Sequence, residues 1–199
     1  MNDNGKTSIK DGENNIFRCY AASQENQYPN VYKARKYNLD LILESLKGEY
    51  GFYRTYELIH NSIQKHKTRN INKVRIHSSG DFFSGEYLRC WFAVARLNPL
   101  MKFYCYSKSL HLFGTNISIP KNFFLTASMG GKMDILIHKK YFKRWAIVVN
   151  SEDEAIKKGI EHIGKPYKID KDDSSCFEDS PFALLIHGTQ KKGYFKNLK

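Results

Sequence analysis

Cysteine is scarce and scattered in this chain. Its four cysteines, Cys19, Cys90, Cys105 and Cys176, form no C-x-x-C pair. That excludes a disulfide framework or a zinc ribbon and suits a reducing compartment. No apolar run approaches the roughly 20 residues that a membrane-spanning helix needs. The amino terminus, MNDNGKTSIKDGENN, is polar and lacks the apolar segment of a signal peptide. The expected home is the cytoplasm, with no membrane partner. The signatures of familiar enzymes are missing too: no G-x-x-x-x-G-K-[ST], G-x-G-x-x-G, G-x-S-x-G or H-E-x-x-H occurs. The seven histidines form no His-x-His pair of the kind that holds a nickase metal, and the deaminase pattern H-x-E with P-C-x-x-C is absent. No metal site is expected, and no repeat or low-complexity tract interrupts the chain.

Acidic residues are also unevenly missing. Residues 73–150 carry 12 Lys and Arg against 3 Asp and Glu, whereas residues 1–72 carry 11 against 8 and residues 151–199 carry 9 against 9. The net charge of +12 is therefore concentrated in the middle of the chain. Such a basic stretch favours polyanionic partners, because each phosphate neutralised releases condensed counterions. The expected partner is nucleic acid or a protein that handles it. Candidate contacts are Arg75, Lys102, Lys139, Lys140, Lys143, Arg144, Lys191 and Lys192.

What is present is enough for a core: 41% of the 199 residues are hydrophobic and 14% aromatic. The pattern predicts a loose arm over 1–15 and one α/β domain over 16–199. A helix is expected from Pro29 toward Gly48, with Val31, Ala34, Leu41, Ile42 and Ser45 near one face. A second covers Tyr53 to His66. Strands are expected over Lys73–Ser78, Lys102–Ser107, Asn122–Ser128, Trp145–Val149 and Phe182–His187. Ser84 caps a helix that Asn98-Pro99 ends, and Ser151 with Glu154 forms a capping box before a helix closed by Gly164. Alternating strands and helices predict a mostly parallel sheet, as an open or partial (β/α) barrel with helices outside.

In such folds ligands gather at the carboxyl ends of the strands. That rim presents His77, Ser79, Gly80, Asp81, Ser107, Lys108, Ser128 and His187. The turn Ser78-Ser79-Gly80-Asp81 precedes a helix amino terminus, whose free N–H groups can hold an anion while Asp81 takes an amine, hydroxyl or cation. The same residues can also serve structure alone, with Gly80 permitting the turn and Asp81 bonding backbone N–H groups. Asp81, Lys108 and His187 thus make either a ligand site or an ion-pair network that closes the sheet end.

The segments RIHSSGDFFSGEYLRCWFAVARLNP and KFYCYSKSL, with RCYAASQENQYPNVYKARKYNLDL upstream and TASMGGKMD and FALLIHGTQKKG downstream, resemble the phage family named after gene product eighty-eight. The family's layout is similar to that of radical-SAM proteins. The resemblance makes Cys19 the last cysteine of a cluster-binding set and Gly80-Asp81 the turn facing S-adenosylmethionine. Residues 1–18 contain no cysteine, so the other cluster ligands are missing. A non-redox phage accessory protein is expected, without a cofactor, in place of one holding an iron–sulfur cluster or S-adenosylmethionine. The rival readings are an enzyme with a small-molecule or metal site at the strand carboxyl ends, and an inhibitor of a host defence complex.

Overall fold

The computed structural model describes residue 9 and residues 17–66, 71–114, 117–188 and 190. Apart from Ile9, the arm expected over 1–15 lies outside the described residues, as do Lys191 and Lys192. The chain divides into two compact units, Met1–Glu44 with His187–Lys199, and Ser45–Ile186.

The first unit holds α1 (Tyr20–Gln27) and most of α2 (Pro29–Ser45). Arg35 joins the two helices. Its guanidinium donates to the Ala21 carbonyl at 3.2 Å, pairs with Glu25 at 3.1 Å and reaches Gln24 Oε1 at 2.8 Å. No residue of α2 is buried, and Leu41 stands exposed. The apolar spacing that predicts α2 as a helix therefore does not mark a core-facing stripe.

The second unit carries α3 (Gly51–His66) and then β1 (Lys73–Ile76), α4 (Gly85–Leu97), β2 (Lys102–Ser107), β3 (Phe123–Ser128), α5 (Ile135–His138), β4 (Trp145–Val149), α6 (Glu152–Ile163), β5 (Lys168–Ile169) and β6 (Phe182–Leu185). The six strands form one sheet in the order β1-β2-β3-β4-β6-β5, and every pair is parallel. The sheet stays open, so the partial-barrel alternative gives way to an open sheet. Among the described residues two edges remain, at β1 and β5.

Strand order explains how the sheet is covered. Steps in one direction along a parallel sheet place their right-handed connections on one face, and a reversal sends the connection to the other. The connections up to β5 all step one way. Leu110, Ile137 and Ala155, from the connections after β2, β3 and β4, pack with Ala127, Trp145, Ile147 and Val149 on one face. On that same face Phe92 of α4 meets Phe123 edge-on at 4.8 Å. The step from β5 back to β6 is the reversal. Its connection holds a 3-10 turn, Ser174–Phe177, that lies against Tyr104, Tyr106, Phe182 and Leu184 on the opposite face.

Local chemistry sets the helix ends. Ser84 Oγ accepts from Tyr87 N at 3.1 Å, an amino-terminal cap of the kind that contributes about 1 kcal/mol. From α4, Leu88 is fully buried. Ser151 Oγ accepts from Glu154 N at 3.1 Å, while the Glu154 carboxylate reaches back to Asn150 N at 2.7 Å, one residue beyond the usual capping-box partner. Gly164 closes α6 with a left-handed φ of 73°.

Candidate functional site

The two ends of the sheet differ in charge and in what their backbone groups do. At the carboxyl end, Asp81 follows β1 and its carboxylate is fully engaged. Oδ1 accepts from Phe82 N and from Ser107 Oγ, both at 2.7 Å. Oδ2 accepts from Lys108 N at 2.7 Å and from Ser109 N at 3.1 Å. Gly80, with φ 82°, supplies the left-handed turn that aims this carboxylate across to the end of β2. The pattern repeats along the rim. Asp134 accepts from Gly130 N at 2.8 Å and Gly131 N at 2.9 Å after β3. Glu154 accepts from Asn150 N after β4. These six backbone N–H groups are thus taken by the protein's own carboxylates, and a phosphate approaching them meets negative charge.

The other residues expected on this rim divide. Ser107 is buried and donates to Asp81, while Ser79 is half-buried. Lys108 meets Asp81 through its backbone N–H, and its ammonium donates to the Gly130 carbonyl at 3.2 Å. His187 belongs to the first unit, where its ring lies 5.2 Å from that of Tyr20. Asp81 and Lys108 are therefore brought together within one unit, and His187 is in the other.

His77 sits in the left-handed region at φ 59°, which is strained for a residue with a side chain. Its Nε2 shares a 3.0 Å hydrogen bond with the Tyr87 hydroxyl, and its ring packs at 4.7 Å from Phe82. Nδ1 is buried without a partner. Burial lowers the His77 pKa from its ordinary 6.5, against the smaller raising effect of Asp81. The unfolded chain therefore binds a proton at higher pH than the folded one. Stability from this group is whole above about pH 6.5 and declines as pH falls below it. Urea unfolding should show a loss on going from pH 7.5 to 5.5. His77→Asn, which tolerates left-handed backbone, should shrink that loss. An unchanged loss would exclude His77 as its source.

At the amino end the picture reverses. Lys73 opens β1 and Lys102 opens β2, and the two are register partners. Lys121 precedes β3, Lys143 and Arg144 directly precede β4, and Lys168 opens β5. Because all strands run the same way, these starts share one edge. The five lysines are exposed. Lys139 and Lys140 are exposed just after α5, with Lys140 at φ 60°. Two of the expected contacts are already paired: Arg75 with Asp173 at 2.9 Å, and Arg144 with Asp179. Lys73, Lys121 and Lys168 were not among the expected contacts. The signal that finds them is a Lys or Arg within two residues of the start of each of the first five strands.

An iron–sulfur cluster needs several thiolates converging on one point, and the three cysteines of the second unit do not offer them. Cys19 is exposed in the first unit, while Cys90, Cys105 and Cys176 are buried in the second. Burial pushes the Cys90 thiol up to about 11 and raises Cys105 and Cys176 as well, so these thiols keep their protons. Cys105 shares a face of the sheet with Phe103, and Cys176 packs on the opposite face. Among the described residues, no group of three or more His, Cys, Asp and Glu side chains is placed to hold a metal, and no helix is long and apolar enough to cross a membrane.

A family model described as Gene product 88 matches residues 15–199 of the chain. No curated protein and no solved structure matches it.

Proposed function

The chain belongs to the gene product 88 family of phage proteins, and on that premise we propose that it is a non-redox accessory protein that binds nucleic acid inside the host cell. The observation that carries this reading is the lysine row along the amino edge of the sheet, set against a carboxyl edge where six backbone N–H groups are held by carboxylates. A row of ammonium groups on a rigid edge neutralises successive phosphates without reading bases, so binding is dominated by counterion release and tolerates sequence.

Reversing Lys73, Lys102, Lys121 and Lys143 to Glu tests it. Affinity for a short DNA duplex at about 50 mM salt should fall at least about 100-fold, and the log–log salt slope should flatten by roughly 3 to 4, near 0.9 per phosphate contact removed. Fluorescence anisotropy across a salt series measures both, with circular dichroism checking that the variant folds. Undetectable binding of both duplex and single strands by the unaltered protein at that salt, or an unaltered slope in the variant, overturns the reading.

A further inference from the structure

The connection from β5 to β6 is the most acidic stretch of the second unit and lies across a basic, aromatic sheet face. Residues 170–180 hold five acids, Asp170, Asp172, Asp173, Glu178 and Asp179, with one lysine. Three of these acids engage the cations around the sheet. Asp173 pairs with Arg75 and accepts from the Tyr104 and Tyr106 hydroxyls at 3.0 and 2.8 Å. Glu178 pairs with Lys168 at 2.6 Å, and Asp179 with Arg144. Between these carboxylates sits Phe177. Its ring meets Tyr104 at 5.3 Å and Phe124 at 5.0 Å, both edge-on. The ammonium groups of Lys73 and Lys102 lie over it at 5.1 and 5.2 Å.

An aromatic ring held by aromatic side chains and two lysines, flanked on either side by anions on arginines, has the chemical outline of a base with its neighbouring phosphates. We propose that this sheet face is a binding site for single-stranded nucleic acid, and that residues 171–180 are an internal mimic that occupies it until a strand displaces them. The inference rests on the reading of the lysine edge as a nucleic-acid contact, since Lys73 and Lys102 belong to both. Single strands suit the face better than duplex. Unpaired bases can stack on Tyr104, Tyr106 and Phe124, and the cations that hold the mimic are then released to phosphates. The mimic is also imperfectly seated: Ser175 Oγ is buried without a partner, a standing penalty that displacement removes.

The test compares three full-length proteins: unaltered, D173N/E178Q/D179N, and E152Q/D153N/E161Q. The last neutralises three exposed acids on α6 and carries the same gain in net charge. Fluorescent dT20 and U20 strands report affinity, and the two arms separate DNA from RNA. The first variant should bind at least one strand about ten-fold more tightly than the α6 variant does. Independently of any variant, hydrogen exchange of amides 171–180 in the unaltered protein should speed up when the preferred strand is added. Equal gains in the two variants, or unaltered exchange over 171–180 at saturating strand, overturn the mimic while leaving binding by the lysine edge intact. If the unaltered protein binds neither strand nor duplex, the underlying reading fails with it.

Discussion

Asp81→Asn should lower the free energy of unfolding by about 2–3 kcal/mol, the scale of losing charge-assisted hydrogen bonds at a partly buried carboxylate. The four donors around Asp81 leave no orientation in which an amide fits. If the amide oxygen keeps Phe82 N and Ser107 Oγ, the amide nitrogen faces the N–H groups of Lys108 and Ser109. Turned the other way, it gives up the Phe82 N–H instead. The end of β2 would then come loose from the turn after β1. Ser107→Ala removes one bond of the four and should cost less, about 1 kcal/mol. Urea denaturation of both variants measures the difference. A loss below about 1 kcal/mol for Asp81→Asn would show that the carboxylate is not needed for the fold and would restore it as a residue kept for a ligand.

Gly159→Ala should be nearly as damaging, although alanine is the better helix former. Glycine in the middle of a helix is ordinarily about 1 kcal/mol worse than alanine. In α6 the missing Cβ is what allows the chain after Gly164 to pass close by. A Cβ at 159 would lie 2.3 Å from Tyr167 N, 2.5 Å from Lys165 O and 2.7 Å from the Pro166 carbonyl carbon, all backbone atoms. Either α6 shifts outward or residues 165–167 do, and the 3.3 Å bond from Tyr167 N to the Ala155 carbonyl opens. Overpacking of this kind costs about 3 kcal/mol. Thermal unfolding should show a clearly lowered midpoint, and an unchanged or raised one would mean that the 165–167 backbone yields freely.

Much of the second unit was legible because its signals are local. The Ser84 cap, the alternation in β1, the capping box at Ser151 and the left-handed Gly164 each act over a few residues, and each lies where the sequence places it. What escaped is what only distance creates. β5 is two residues long and exists because β6 pairs with it, so no periodicity announces it. α1 has a weak pattern and is held by Arg35 from the next helix. The partners of Arg75 and Arg144, Asp173 and Asp179, stand 98 and 35 residues away, which is why residues read as open contacts turn out to be paired. At the site, residue types and the carboxyl rim were readable. Which of the two readings of Asp81 holds was not, because Asp in a turn reads the same whether it serves a ligand or the chain.

The strand order also governs how this chain can be made. Among the described residues β5 pairs only with β6, and β6 is the last strand, inserted between β4 and β5. During synthesis, then, β1 to β4 can associate as they emerge, but the exposed side of β4 has no partner until Leu185 has left the ribosome. A nascent chain halted before residue 182 carries an unpaired apolar strand, Trp145–Val149, on a sheet edge, the kind of edge that recruits other chains. Premature stops or slow translation just upstream of Phe182 should therefore give aggregates and not a smaller soluble domain, whereas a stop after Ile186 leaves all six strands in the product.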